Sequence, residues 1–355
     1  RFGTNKDLVM QNFGRQIRLF EHLKKFGHEI DFLCMDYLKF ESKKIIKNGI
    51  NYYIEPFSLI KFNLFLKKVN LLLTKNNYDL IVASTSPILG IIGYFYSKKY
   101  GVRMLYDLQD SFDIYDEYKI PFVSQIDKYI TKNYDVVICV SKTLSKRVKK
   151  FRKKLTFVIE NGIETRLFKP LDKLKCRKTL KLPLDAKIIV YIGHITKIRG
   201  FDILLAAFDK VRETYPNSFL LLSGKIDKDV SIKHKNVLFK TLPKRKEVVI
   251  AINASDVAVI ADPKNPFTKY SFPYKLVEYM ACNIPIVATN IGDVSLLLKR
   301  YKGSLCKPNA LDVSKKILAK LENSKRVDYS KDLKNLNWRI LAHKLDKILG
   351  LNIQS

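Results

Sequence analysis

Nowhere does the sequence reach the roughly 18 consecutive apolar residues that a membrane-spanning helix needs. Even so, 47% of the chain is hydrophobic, which fits a folded protein without a span. Acidic residues are the scarce charge: 34 Asp and Glu face 65 Lys and Arg, for a formal net charge of +31. Such an excess favours polyanions, among them nucleic acid, anionic lipid and nucleotide substrates. The lysines are spread along the chain, so genome composition or a hot habitat is an equally simple source of the charge. No nucleic-acid-binding module is recognisable, and no nucleic acid is expected as a partner.

Cysteine is scarce too. Cys34, Cys139, Cys176, Cys282 and Cys306 are odd in number, scattered and without a CxxC pair, which excludes a disulfide framework and points to a reducing, cytoplasmic compartment. The histidines, His22, His28, His194, His234 and His343, form no HxxxH or HExxH pattern, so no residue is assigned to a metal. GxxxxGK[ST] and GxGxxG are both missing, which argues against a Walker P-loop and a dinucleotide fingerprint. No secretion signal is found. The chain begins at Arg1, and its first ten residues hold no strand pattern, so an initial segment is expected ahead of them.

What is present is alternation. Strand-length apolar runs, "EIDFLC", "YDLIVAST", "RMLYDL", "DVVICVS" and "LTFVIE", then "KIIVYIG", "SFLLLSG", "NVLFKTL", "DVAVIAD" and "PIVATN", are separated by helical patterns. The helices are expected over Val9–Phe26, Lys61–Lys75, Ile88–Tyr100, Pro121–Lys132, Phe201–Glu213 and Arg245–Asn253. Short strands buried on both faces with helical crossovers predict doubly wound parallel sheets. At about 150 residues per domain, 355 residues make two of them. The break falls in "ENGIETRLFKPLDKLKCRKTLKLPLDAK", where Asn161-Gly162, Pro170 and Pro183 interrupt a charged stretch. The tail "YSKDLKNLNWRILAHKLDKILGL" reads as one long final helix.

Two stretches carry candidate chemistry. In "VYIGHITKIRGFDILLAAF" a strand ends at Gly193, a loop carries His194, Lys197 and Arg199, and a helix follows Gly200, an arrangement that suits a diphosphate. An ordinary βα turn with a solvated basic rim has the same pattern. In "SFPYKLVEYMACNIPIVATNIGD", Ser271 is placed to cap a helix and Pro273 to lie near its first turn. Lys275 and Glu278 then share a face away from Val277, Met280 and Ala281. They read either as a solvent-facing i,i+3 pair or as presented functional groups. Two basic features remain: the dense run "SKRVKKFRKK" at 145–154, and "LIKFNLFLKKVNLLLTKNN", either a core-packed surface helix or one lying on a membrane.

In order and spacing, "VYIGHITKIRGFDILLAAF", "NASDVAVIAD" and "SFPYKLVEYMACNIPIVATNIGD" resemble the nucleotide-sugar-binding half of the family 4 glycosyltransferases with the GT-B fold. "ENGIETRLFKP" resembles the family's entry into its second domain, and "LFEHLKKFGHEIDFL" is similar to the first helix and second strand of its acceptor domain. The resemblance implies α/β architecture: two Rossmann-like domains facing a cleft, over 1–164 (acceptor) and 165–328 (nucleotide sugar), and a helix over 329–355 crossing back to the first domain. It places a further first strand before Arg1.

It also implies roles. Glu278 would accept hydrogen bonds from the donor ribose, and Gly193, His194, Arg199, Ser271, Tyr274 and Lys275 would surround the diphosphate. Leu242, with Pro243, would pack on the base of a UDP- or GDP-linked donor. Tyr270 stands where a second glutamate contacting the sugar is frequent, and Gln109 stands where a histidine or arginine is common, beside a retained Asp110. Catalysis would rest on Asp110, Gln109, Arg199 and His194, with no cofactor besides the donor substrate. The implied reaction is retaining, metal-independent hexosyl transfer from a UDP- or GDP-sugar to a glycan or lipid-linked hydroxyl in cell-surface polysaccharide or glycoconjugate synthesis. An anionic membrane is a further expected partner, at the inner face of the cell membrane. The departures at Tyr270 and Gln109 raise the alternative of a degenerate subunit that binds without turnover.

Overall fold

The computed structural model describes residues 8–11, 13–37, 39–58 and 60–351. They form two compact units, Arg1–Glu160 with Trp338–Ser355, and Asn161–Asn337. The strand expected ahead of Arg1 lies outside the described residues.

In the first unit the strands are β1 (Asp31–Asp36), β2 (Lys43–Lys47), β3 (Ile50–Pro56), β4 (Leu80–Ser84), β5 (Arg103–Leu108), β6 (Val136–Cys139) and β7 (Thr156–Val158). They lie in two sheets, β1-β3-β2 and β4-β5-β6-β7. The second sheet is parallel throughout, with Leu80 opposite Arg103 and Ser84 opposite Asp107. Helices α1 (Arg15–Lys24), α2 (Phe62–Lys75), α3 (Pro87–Tyr100), α4 (Val123–Asn133) and α5 (Lys142–Lys149) connect them. The antiparallel hairpin of β2 and β3 was not expected. Its turn residues, Asn48 (φ 53°) and Gly49 (φ 71°), are the pair that a two-residue hairpin loop favours, so the signal was in the sequence.

In the second unit, β8 (Lys187–Ile192), β9 (Ser218–Ser223), β10 (Val237–Phe239), β11 (Val257–Ile260), β12 (Ile286–Thr289) and β13 (Leu305–Cys306) form one parallel sheet in the order β10-β9-β8-β11-β12-β13. Helices α6 (Lys173–Leu180), α7 (Phe201–Thr214), α8 (Arg245–Asn253), α9 (Pro266–Tyr270), α10 (Tyr274–Ala281), α11 (Gly292–Leu298) and α12 (Ala310–Glu322) complete it. Ile189 and Tyr191 of β8 pack with α7 and α12 in one core, while Ile188 and Val190 are equally buried on the other side. Burial on both faces explains why these strands read as unbroken apolar runs. The strand order reverses between β8 and β11, and ligands of such sheets bind at the carboxyl ends beside that point.

Two expectations are corrected. The tail is not one helix: a short helical segment, Ser330–Leu333, and a turn of 3₁₀ helix lead to Asn337, whose extended backbone (φ −74°, ψ 137°) bridges Ile163. The final helix is Trp338–Leu349, which buries Trp338, Leu341, Ala342, Leu345 and Ile348 in the first unit, and its Asp346 Oδ1 lies 2.6 Å from His28 Nε2. The dense basic run is also less of a surface patch than it reads. Arg152 is buried and donates to the carbonyls of Thr131, Lys132, Asp135 and Leu155, and Arg147 pairs with Asp113.

Among the described residues, no helix is long and apolar enough to cross a membrane. Gly200, at φ 72°, turns the chain from the loop after β8 into α7, and a Cβ there would lie 2.0 Å from the Ala261 carbonyl oxygen. Gly200→Ala should therefore cost at least about 2 kcal/mol. In thermal unfolding that is a Tm roughly 5 °C lower or more.

Candidate functional site

The carboxyl ends of β8 and β11 and the start of α10 converge in the second unit. Tyr279 of α10 ties them together, its hydroxyl accepting from the Ile192 backbone N–H at 2.8 Å. After β8 the chain passes Gly193 (φ 142°), where a Cβ would come within 3.3 Å of Lys275 Cε. The lysine thus lies along the backbone of the turn.

Helix α10 is not two-faced as its spacing predicts. Every residue from Lys275 to Ala281 is buried. Lys275 is 7% exposed and Glu278 4%, so the solvent-facing pair is excluded. Ser271 does not cap this helix either. It closes α9, its hydroxyl donating to the Thr268 carbonyl at 3.3 Å, while Pro273 takes the N-cap position of α10 without a side-chain cap. A proline has no side-chain oxygen with which to cap the helix, and the Leu276 N–H turns back to the Pro273 carbonyl at 3.1 Å. Tyr274 is half-buried at that end.

Lys275 Nζ sits 3.7 Å from the centroid of the Tyr191 ring and, although buried, has no hydrogen-bond partner. Arg199 Nη1 and Asp262 Oδ1 are likewise buried and unsatisfied. Arg199 and Asp262 approach one another at 3.9 Å, too far for a hydrogen bond, and the guanidinium stacks 4.4 Å above Phe267. Burial lowers the pKa of Lys275 to about 7. Asp262 opposes the shift, Arg199 adds to it, and Glu278 opposes it. Buried polar atoms are rarely left without partners in native proteins. Three together make this strand edge the candidate ligand site.

Glu278 faces Arg245 of α8, with Oε1 2.7 Å from Nη2, and Arg245 stacks at 4.6 Å on Phe168. Leu242 is half-buried three residues before Arg245. His194 Nε2 hydrogen-bonds Asp227 Oδ1, and Tyr270 is half-buried with Lys269 Nζ 5.3 Å from its ring centroid.

Gln109 and Asp110 belong to the first unit, after β5. Gln109 donates from Nε2 to Ser84 Oγ (2.7 Å) and Asp107 Oδ2 (3.0 Å). Asp107 in turn pairs with the fully buried Arg15, whose Nε lies 2.9 Å from Oδ1 and whose Nη1 donates to the Glu160 carbonyl. Arg15 Nη2 is buried without a partner. Asp110 accepts from the Tyr115 hydroxyl at 2.9 Å. Sequence reasoning missed Arg15, Asp107, Arg245 and Asp262. Arg15 and Arg245 are two among 65 basic residues, but Asp262 closing the strand pattern of "DVAVIAD" was visible. Among the described residues, no group of three or more His, Cys, Asp or Glu is placed to hold a metal ion.

Residues 172–336 match the family described as Glycosyl transferases group 1, and residues 17–167 match Glycosyltransferase Family 4. A Methanocaldococcus jannaschii protein named an uncharacterized glycosyltransferase is 25% identical over 322 residues, 85% of this chain and 83% of its own length. A Bacillus subtilis protein, whose name assigns it to teichuronic acid biosynthesis as a glycosyltransferase, is 25% identical over 190 residues, 53% of this chain. This chain spans about half of that relative, 47%. The fold of HepE from Anabaena, solved in complex with UDP and glucose, superposes with a TM-score of 0.75 at 17% identity, covering 95% of this chain and 96% of that one. Two parallel-sheet α/β units of this kind define the GT-B architecture. The chain belongs to the family 4 glycosyltransferases.

Since the folded protein holds Lys275 deprotonated at a pH where an unfolded chain holds it protonated, stability owed to this residue rises from about pH 7 upward. Below that the penalty is complete. Lys275→Met should raise the Tm most at pH 6 and progressively less toward pH 9. An equal gain at both pH values would show that the ammonium is not strained by burial.

Proposed function

We propose that the chain transfers a hexosyl group from a nucleoside-diphosphate sugar to an acceptor hydroxyl, with retention of configuration and without a metal ion. The observation that carries this reading is the buried, unsatisfied trio of Lys275, Arg199 and Asp262 at the strand edge of the second unit. Two basic side chains with buried nitrogens that lack acceptors suit the diphosphate, whose charge would favour the protonated lysine, and the positive end of the α10 dipole adds to them. Glu278 is fixed by Arg245 on a rigid helix, where its carboxylate can accept from ribose hydroxyls. UDP is the favoured nucleotide because HepE was solved with UDP and glucose.

In the reaction the acceptor oxygen bonds to the anomeric carbon as the bond from that carbon to the phosphate oxygen breaks. The acceptor proton passes to the departing diphosphate, which leaves from the face under attack. Arg199, Lys275 and His194 stabilise the charge that develops there. The relative named for teichuronic acid biosynthesis supports a glycan or lipid-linked acceptor in cell-surface polymer synthesis.

A second reading is a subunit that binds a sugar nucleotide or partner without turnover. Tyr270 supplies no carboxylate, and the Gln109 amide is committed to Ser84 and Asp107. Hydrolysis or transfer by the isolated chain separates the two readings.

Thermal unfolding with UDP, GDP, ADP and CDP tests the donor site. A nucleotide at about 100 times its Kd adds roughly 2.7 kcal/mol. We expect a shift with UDP that survives EDTA. In Glu278→Gln, which keeps the shape of the side chain, the unliganded Tm should stay near wild type while UDP affinity falls about tenfold or more. Wild-type affinity in that variant would remove Glu278 from the site.

A further inference from the structure

We propose that Arg15 and Asp107 are positioning residues that fix the Gln109 amide, and that the Gln109 Oε1 so presented accepts a hydrogen bond from the acceptor substrate, beside the hydroxyl that reacts. The acceptor is then a sugar or another polyol with neighbouring hydroxyls, a class that rests on the transfer reaction proposed above. Four side chains meet where β4 and β5 end. Arg15 Nε lies 2.9 Å from Asp107 Oδ1 and 3.2 Å from Oδ2. Ser84 Oγ donates to Oδ2 at 3.0 Å and accepts from Gln109 Nε2 at 2.7 Å, while Nε2 itself reaches Oδ2 at 3.0 Å. Ser84, Asp107 and Gln109 thus close a triangle, and Gln16 Oε1 adds a longer contact to Nε2 at 3.4 Å.

Charge decides which way round the amide sits. A carboxylate paired with a guanidinium only accepts, so the NH2 end of Gln109 must face it, and turning the amide over would set oxygen against oxygen. Every side-chain hydrogen bond of Gln109 among the described residues is made through Nε2. Its Oε1 is left to accept from a ligand, on a side chain that is only half-buried. An amide oxygen takes a hydrogen bond but is too weak a base to keep a proton. In the proposed reaction the reacting hydroxyl gives its proton to the diphosphate, so the hydroxyl bound at Oε1 is its neighbour.

Stability does not account for this arrangement. A buried ion pair is a weak source of stability, and Arg15 Nη2 is buried without a partner, a cost that apolar residues in the same place would avoid. Backbone strain points the same way. Thr85, which follows Ser84, holds φ 77°, a left-handed conformation that a β-branched residue seldom adopts and that is found mostly where a function requires it. The strand edge is thus held in one polar arrangement at the expense of stability, as expected of groups that must meet a substrate in a fixed orientation.

Saturation-transfer NMR on the whole chain tests this, with methyl α-glucoside and its fully O-methylated form as probes. We expect binding of methyl α-glucoside and little of the methylated form, which has no hydroxyl to donate. Gln109→Ala, and Asp107→Asn, which lets the amide turn over, should each weaken that binding about fivefold, while the UDP shift in thermal unfolding stays at the wild-type value and shows that the variants fold. Gln109→Glu probes Asp107 without removing it and gives a readout that a merely structural role would not move. Two carboxyl groups so close cannot both ionise, so the new one keeps a proton at low pH, donates it to Asp107 and accepts through its other oxygen as the amide does. Its binding should approach wild type at about pH 5 and fall toward about pH 8, a fall that the wild type does not share. Of the other charged or titratable groups at this edge, Arg15 is the partner of Asp107, Asp110 accepts from Tyr115, and Cys139 of β6 stays a thiol, pushed up to about 12 by burial and then by Asp107. Equal binding of both probes, binding of neither, unchanged binding in Gln109→Ala, or a pH-independent Gln109→Glu would overturn the proposal. Release of UDP from UDP-glucose is read separately: a chain that binds methyl α-glucoside through Gln109 yet releases no UDP keeps the polyol site and overturns the transfer reaction alone.

Discussion

A lysine amine buried against an aromatic ring governs the second unit's site. Lys275 lies along the Gly193 turn with its nitrogen over Tyr191, and it can do so because Gly193 leaves the space that a side chain would fill. Its burial makes the charged form costly, so the neighbouring charges matter more than they would in water. Arg199, Asp262 and Glu278 all act on it. An incoming dianion would bring what the lysine lacks. In the unliganded protein the rigid fold thus holds buried atoms of Lys275, Arg199 and Asp262 without partners, as a preorganised site offers groups to a ligand.

The first unit shows the opposite balance at its own strand edge. Arg15 is fully buried yet satisfied on two of its three nitrogens by Asp107 and the Glu160 carbonyl, and the same carboxylate receives Ser84 and Gln109. A paired buried charge resists displacement, since removing either partner strands the other. Gln109 is thus oriented by a network that begins at the first residue of α1 and ends at the carboxyl edges of β4 and β5.

The parallel sheets were legible because strands such as "KIIVYI" and "VAVI" are apolar on both faces, a pattern that surface elements do not produce. The β2–β3 hairpin was missed because its alternation, Lys-Ile-Ile-Lys then Asn-Tyr-Tyr-Ile, sits in a lysine-rich stretch where the Asn48-Gly49 turn was not weighed. The final helix was drawn too long because Asn337 breaks it through a tertiary bridge to Ile163, which no local propensity announces. Lys275 and Glu278 were singled out by an i,i+3 spacing that suggests a shared exposed face, whereas burial separates them toward Tyr191 and Arg245. Arg15 and Asp107 could not be found, because pairing of residues 92 positions apart exists only once the chain is folded.

The crossing of the chain at Glu160–Asn161 and Asn337–Trp338 makes the second unit an insertion within the first. Its two ends are stitched by the Ile163 N–H donating to the Leu336 carbonyl at 2.8 Å, so it can close on itself. The first unit cannot: α1 is covered by Trp338–Leu349, which follows the whole insertion in the chain. Closing the first unit therefore means pairing its two flanking segments across the full length of the insertion, a loop-closure cost that the second unit does not carry.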